Sequence, residues 1–442
     1  MERTLITHTP DKVEHKVKIS GWVWTRRDHG KIVFLDVSDR SGILQVVCQG
    51  GLAEGLKPQD VVSVEGIVAA RPEKLVNRDL PTGAVELQAE KIEVLAKAQE
   101  LPIDMGVEKL ELQLPTLLDN RALTLRHPKV KQIFKVQEAI MEGFRRAAQK
   151  LECTEVFVPT ISYSSTEGGA EVFKVDYYGH QAFMTQSPQL YKQIMVPVFE
   201  RVYLVSHAYR SEPSITTRHL SESIQMDCEL GFVGFEELLD AVEFIGRETL
   251  TYTSQECREI LESYGVEAPK IGSKVPRLKM REVQEIVAKR LGRKPSNDPD
   301  LTPEDEREIC AWALEEHKSD FVTVTHYPTK KRAFYSKPDP EDPEYSLSYD
   351  LLYRGVEVLS GSQRVDDYEE LSKIIKERGM NPDDFEMYLQ AFKYGMPPHG
   401  GFSFGLERMT MKTLNLANIR EASLFPRDME RIDIRLSKKD AI

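Results

Sequence analysis

The sequence predicts an α/β chain of more than one domain. A small five-stranded β-barrel opens it, and a larger part mixing strands and helices follows. Three observations carry this reading. Five β-rich runs, punctuated by Pro, Gly, Asn and Asp, fill the first hundred residues. An apolar period of helical spacing begins at Pro128. The length of 442 residues, at about 150 per domain, allows two or three domains around a large core.

The runs are taken in order. Lys16 to Trp24 alternates apolar and polar residues. Ile32 to Val37 follows, then a turn at Asp39-Arg40-Ser41-Gly42, then Ile43 to Cys48. Val61 to Ala70 and Val85 to Leu95 complete the set. Five strands in so short a span suit a closed barrel, and the OB-fold is the oligonucleotide-binding barrel of that size. Residues 101–130, with Pro102, Pro115 and Pro128, read as a hinge between a first domain at 1–100 and a second at 131–442. Val130, Ile133, Phe134, Val136, Ile140 and Phe144 then keep helical spacing to about Lys150. Glu236 to Tyr264 and Lys279 to Leu291 read as amphipathic helices, and Asp298 to Glu316 opens on the proline and acids of a helix start.

Charge narrows the function. The chain carries 59 Lys+Arg against 71 Asp+Glu, a net of −12, with a sequence pI near 5.5. That excludes a protein coating nucleic acid by bulk charge and leaves a local basic groove open. Residues 1–100 hold 14 basic and 15 acidic side chains, about −1, so −11 falls downstream. The barrel is therefore the less repulsive part for a polyanion. No apolar run approaches the ~20 residues of a membrane span, and Met1-Glu2-Arg3-Thr4 lacks the order of a signal peptide. Cys48, Cys153, Cys228, Cys257 and Cys310 are scattered, without a CxxC pair. Free buried thiols and a cytoplasmic location are expected.

No GxxxxGK[ST], HExxH or GxSxG occurs. An enzyme handling nucleotides must here hold phosphate with side chains. "RVYLVSHAYRSE" ends in Arg210 and Glu212 at strand spacing two, and the following loop carries Arg218 and His219. "IQMDCELGF" returns with Asp227 and Glu229 on alternate positions. This predicts a hairpin presenting arginines and carboxylates to one pocket. "GGFSFGLERMTM" reads as a Gly-spaced strand entering a helix, with Arg408 near the helix start and glycines permitting close approach of a ligand. Taken singly, each Arg–Glu pair reads better as a surface ion pair.

Together these strings resemble the class II aminoacyl-tRNA synthetases, and within them the compact, archaeal-like aspartyl enzymes. "YRSE" with "TTRHLSE" resembles the second class signature, "GFSFGLERM" the third, and "LECTEVFVPTI", with Pro159, the first. The class I strings HIGH and KMSKS are absent. The resemblance runs from "GWVWTRRDHG" to "LFPRD". It implies an antiparallel sheet flanked by helices, a homodimer, and the joining of L-aspartate to tRNA(Asp) at the expense of ATP, with Mg²⁺. "FMTQSPQLYKQIM" resembles the aspartyl rather than the asparaginyl pattern. Its Lys192 is a point cation suited to a β-carboxylate, and a neutral amide would leave that charge unpaired.

The resemblance implies further roles. Arg364 adds a bidentate-capable cation, and His399 closes over the aspartate side chain. Glu167 holds the ammonium, with Gln189, Asp227 and Ser360 as further contacts. Arg210 and Arg408 serve catalysis. Ser211, Glu212, Arg218, His219, Leu220, Gly405, Leu406 and Glu407 line the ATP site, and Glu357 with Ser360 holds the metal. Arg27, Phe34 and Gln45 read anticodon bases, joined by His29. His29 stands where enzymes that charge both tRNA(Asp) and tRNA(Asn) often carry histidine. Trp24 matches the strict archaeal enzymes, while the lysine paired with it there is Glu73 here. The balance leans to the relaxed enzyme, and a strictly tRNA(Asp)-specific one is the alternative. A synthetase-like paralogue such as an asparagine synthetase, or a non-catalytic RNA-binding module, fits less well. The first usually lacks the barrel and the second has no use for the arginines. Two positions depart from the family pattern: Ser223 replaces an adenine-stacking aromatic, and Ser362 turns "SGGQR" into "SGSQR".

Overall fold

The computed structural model describes residues 1–163, 171–213, 216–272 and 274–439. They form two compact units, Met1–Gln113 and Leu114–Ile442.

The first unit is a closed barrel of β1 (Lys16–His29), β2 (Ile32–Ser38), β3 (Ile43–Gln49), β4 (Val61–Ala70) and β5 (Val85–Ala96), in the order β1-β2-β3-β5-β4. All five expected runs are strands, and β1 extends to His29. Strict alternation sends Ile19, Val23, Leu35, Val37, Leu44, Val46, Val62 and Val64 inward. Burying such side chains, at about 1.5–3 kcal/mol each, contributes to offsetting the entropy lost in ordering the strands. A bulge after Val23 re-aims the end of β1, so that Arg27 pairs across Phe34 and His29 across Ile32.

The second unit is built on an eight-stranded sheet. Its strands are β6 (Thr154–Glu155), β10 (Arg201–Tyr209), β11 (Glu222–Gly231), β12 (Arg277–Lys279), β13 (Phe321–Thr325), β14 (Ser348–Tyr353), β15 (Val356–Gln363) and β16 (His399–Gly405). They run β12-β13-β14-β15-β16-β11-β10-β6, antiparallel except at the β6 and β12 ends. A separate three-stranded sheet holds β7 (Ile161–Ser162), β9 (His180–Met184) and β8 (Lys174–Tyr177). The helices Pro128–Lys150 and Phe235–Glu256 join the main core through Ile133, Val136, Phe144, Leu238 and Val242, against Tyr203, Met226 and Phe404 of the sheet. Covering one face with helices leaves the other face of the central strands to carry chemistry.

Two helix expectations need correction. Glu236 to Tyr264 is not continuous. It breaks into Phe235–Glu256 and Arg258–Ser263 at Cys257, whose backbone leaves the helical region (φ −113°, ψ 23°). Asp298 to Glu316 starts late, as Pro303–His317. Thr302 is the N-cap, accepting from the Asp305 amide at 3.2 Å, while Asp305 accepts from the Thr302 amide at 2.9 Å. Asp298 and Asp300 lie in the turn before it. The five cysteines are free and buried.

Candidate active site

A cleft of about 390 Å³ opens on the uncovered face of the sheet. Of the residues singled out by sequence, it is lined by Gln189, Lys192, Arg210, Glu212, Arg218, His219, Leu220, Glu357, Ser360, Arg364, Gly405, Glu407 and Arg408. They come from separate parts of the chain. The helix Gln189–Ile194 places Gln189 and Lys192 one turn apart. β10 and β11 form the expected hairpin, and Arg210 and Glu212 lie just past its first strand, 3.6 Å apart. β15 carries Glu357 and Ser360, while Arg364 follows its end. β16 runs into the helix Leu406–Thr413, which carries Arg408.

One end of the cleft is a buried lattice of two cations and two carboxylates. Lys192 Nζ lies 2.8 Å from Asp227 Oδ1, 3.4 Å from Glu229 Oε2 and 3.2 Å from the Phe402 carbonyl. Arg364 donates from Nε and Nη2 to Glu229 at 2.8 and 3.2 Å, and from Nη2 to Gln189 Oε1 at 3.2 Å. Its Nη1 donates to Ser362 Oγ at 2.7 Å. Burial pushes the Asp227 carboxyl up, against the pull of Lys192. Burial also acts on Glu229, yet Arg364 and Lys192 outweigh it and hold that carboxyl below its ordinary value. The two charges of each sign cancel, so the lattice is neutral as it stands. The sequence reads Lys192 as a point cation suited to a β-carboxylate and Arg364 as a bidentate-capable one, and the structure sets both against protein carboxylates. Lys192 is already paired, and Arg364, having spent four of its five N–H groups, keeps one for a ligand. Glu229 is the residue this reading missed, although its alternation with Asp227 marked it.

Gly401 makes the lattice possible. A Cβ there would meet Glu229 Oε2 at 2.1 Å and the Cys228 carbonyl at 2.2 Å. The close approach expected of the "GGFSFG" glycines thus receives a protein carboxylate.

The other end sets each of its arginines against a carboxylate. Arg218 is bound by Glu306 of the helix Pro303–His317, whose carboxyl is pushed up to about 7, chiefly by burial. Arg408 donates to the Glu357 carbonyl at 3.0 Å and lies 3.5 Å from its carboxylate. Desolvation raises the Glu357 carboxyl, Arg408 opposes this, and Asp350 adds to it. Arg332, unremarked in the sequence, lies half-buried over the Tyr327 ring. It donates to Ser360 Oγ at 3.0 Å and to Asp350 Oδ2 at 2.7 Å. The other Asp350 oxygen is buried and makes no hydrogen bond of ordinary geometry, with the Tyr327 hydroxyl as its neighbour. Asp350 lies opposite Ser360 in the β14–β15 register, and no signal along the chain announces that. A hard divalent cation wants such oxygens, so Asp350, Glu357 and Ser360 fit Mg²⁺.

Several expected residues lie elsewhere. His399 does not line the cleft. It is fully buried, with Nδ1 at 2.9 Å from the Pro397 carbonyl and Nε2 at 2.9 Å from Gln193 Nε2, which makes it the neutral Nδ1–H form. Burial holds its pKa down. Leu406 belongs to the hydrophobic core. Ser211 is tied by its amide to Glu171 and does not line the cleft. Glu407 reaches the cleft but accepts from the Ile224 amide at 3.1 Å, which joins helix to sheet, and burial raises it to about 7. Asp227 lies beneath Lys192. Glu167 lies outside the described residues. Ser223 lines the cleft without an aromatic.

On the barrel, Arg27, Phe34 and Gln45 gather on one face. Arg27 Nη2 reaches Asp36 at 3.0 Å and Gln45 Oε1 at 3.5 Å, Gln45 donates to Glu86 at 3.0 Å, and the His29 ring meets the Phe34 edge. Arg27 and His29 are exposed.

Comparison with known proteins identifies the family and the fold. Residues 113–429 match the family "tRNA synthetases class II (D, K and N)", and 17–95 match an OB-fold nucleic acid binding domain. The chain is 41% identical over 432 residues to the aspartate–tRNA(Asp/Asn) ligase of Thermus thermophilus, covering 97% of this chain and 99% of that one. It is 37% identical over 430 residues to the aspartate–tRNA(Asp) ligase of Thermococcus kodakarensis, covering 94% and 96%. The asparaginyl-tRNA synthetase of Pyrococcus horikoshii, solved with asparaginyl-adenylate, superposes with a TM-score of 0.89 at 31% identity, over 98% and 99% of the two chains.

Proposed function

The chain belongs to the class II tRNA synthetases of the D, K and N group, and from that premise we propose that it activates L-aspartate with ATP and transfers it to the 3′ end of tRNA(Asp). The neutral lattice around Lys192 and Arg364 carries this reading. A solved relative that handles asparagine shares the fold, so the choice of amino acid rests on side chains at that end of the cleft. The remaining N–H of Arg364 receives the aspartate β-carboxylate, with the Lys192 charge beside it. Gln189 faces its ammonium, joined by Glu167, and Asp227 acts from beneath Lys192.

The aspartate α-carboxylate is ionised at neutral pH and attacks the α-phosphorus without a protein base. Pyrophosphate leaves. Catalysis is positioning plus charge stabilisation. Arg210 neutralises the α-phosphate, Glu212 accepts from the adenine amino group, Arg218 and His219 hold the outer phosphates, and Arg408 stacks on adenine. Arg218 must first leave Glu306. Asp350, Glu357 and Ser360 would hold Mg²⁺, which when bound draws charge from the phosphate oxygens. The terminal tRNA hydroxyl then attacks the aspartyl carbonyl of the adenylate, forming the ester, and AMP leaves. The parts 1–100, 101–130 and 131–442 serve as anticodon barrel, hinge and catalytic domain.

The reading extends to tRNA(Asn). The two anticodons differ at their last base, and His29, exposed against Phe34, supports the relaxed enzyme. Trp24 follows the strict pattern, and Glu73 departs from it. Charging of both purified tRNAs with aspartate decides: equal efficiency means a relaxed enzyme, and a ratio above ~100-fold a strict one. Absence of aspartate-dependent pyrophosphate exchange would sink the whole reading. A homodimer is proposed on the apolar surface around Pro159, where Phe157 is 86% and Tyr163 76% exposed. No helix among the described residues is long and apolar enough to cross a membrane, and a cytoplasmic site of action is proposed.

A further inference from the structure

We propose that Ser362 and Ser336 form a hydroxyl relay that makes Ser336 a hydrogen-bond donor to the side-chain carboxylate of the amino acid. The inference deepens the aspartate reading and rests on it. Arg364 Nη1 donates to Ser362 Oγ at 2.7 Å, and Ser362 Oγ lies 3.1 Å from Ser336 Oγ. Both serines are buried and both line the cleft. The segment bearing Ser336 is fixed in place. Its backbone bridges Arg364, Lys337 donates to the Gln363 carbonyl at 2.9 Å, and Val365 to the Tyr335 carbonyl at 3.0 Å.

Polarity follows from the guanidinium. It has no lone pair, so Ser362 Oγ must accept from it. A hydroxyl accepting from a cation is a stronger donor, and its partner here is Ser336 Oγ. Ser336 then accepts on one side, and its own proton is left to face the cleft. A solitary serine can turn either way, giving to a carboxylate or accepting from an amide NH₂. A serine at the end of this relay has its proton committed to the cleft, which favours a carboxylate over an amide NH₂. Lys192 and Arg364, which have no lone pair, add to that preference. Ser336 is thus a further binding residue for the acid, and Ser362 is a positioning residue acting through it.

The test uses the full-length protein and calorimetric titration with L-aspartate and with L-asparagine. Ser336→Ala should weaken aspartate about tenfold and leave asparagine and the KM for ATP within twofold. Ser336→Thr, which keeps the hydroxyl, should stay within threefold of the parent for aspartate. Ser362→Ala frees Ser336 to turn, so the aspartate-to-asparagine affinity ratio should fall about tenfold. In the Ser336→Ala background the same change should move the ratio less than threefold. Melting temperatures within a few degrees of the parent confirm folding. A ratio unmoved by Ser362→Ala, or equal loss of both ligands in Ser336→Ala, overturns the relay. Equal affinity of the parent protein for the two ligands overturns the aspartate reading instead.

Discussion

The barrel face and the cleft both set arginines against acids, and they differ in how much water those groups keep. On the barrel, half of the Arg27 side chain stays exposed beside Asp36. Such a pair is screened, exchanges readily with solvent, and is worth ~0–1 kcal/mol. It can open to admit a base. In the cleft, Lys192, Asp227, Glu229 and Arg364 are nearly free of solvent contact. Buried charges gain their attraction at a large desolvation cost, so the lattice holds only while it is complete. Recognition by stacking and edge contacts tolerates a wet, adjustable surface. Selecting an acid over its amide needs a dry one, where an unmatched group is expensive.

Four measurements test that contrast, the largest effect first. Glu229→Ala strands two cations on one carboxylate and should lower unfolding free energy by ~3–5 kcal/mol, read by chemical denaturation. A loss below 1 kcal/mol would mean that water reaches the lattice. Arg210→Ala, at the wetter end, should raise the activation barrier by ~2–4 kcal/mol in pyrophosphate exchange and leave the melting temperature unchanged. Near-normal exchange would contradict its place at the α-phosphate.

The third concerns pH. Glu407, at about 7 when folded, lies above its unfolded value of about 4.3. The folded state therefore binds its proton more tightly, and stability is lost as pH rises from about 4 through 7. Glu407→Gln should remove about 1–3 kcal/mol of that slope in denaturation curves, and identical slopes would refute the shift. The smallest effect is expected on the barrel. Arg27→Ala should change stability by less than ~0.5 kcal/mol and leave pyrophosphate exchange intact, while charging slows through weaker tRNA binding. Slower exchange in that variant would break the division of labour.

Legibility followed the same divide. The barrel was readable because alternation is local: each run announces its own inward face, and Arg27, Phe34 and Gln45 fall together once β1, β2 and β3 pair. The cleft was readable only where the chain carries several polar groups on one element, as at Arg210 and Glu212 or at Asp227 and Glu229. Arg332 and Asp350 acquire meaning from the β14–β15 register and from a loop folded over it. Neither fact is periodic in the sequence. His399 was misplaced for a related reason. A histidine beside glycines reads as a movable cover, yet Gln193 and the Pro397 carbonyl anchor both ring nitrogens. The late start at Pro303 shows a capping box overruling a longer run of acids.

The glycine at position 401 has a bearing on how such a protein can change. The Glu229 carboxylate and the Cys228 carbonyl both fill the space any side chain would need, so position 401 stays closed even when the acid is changed. A library seeking altered amino-acid preference should therefore vary 229 and hold 401 as glycine.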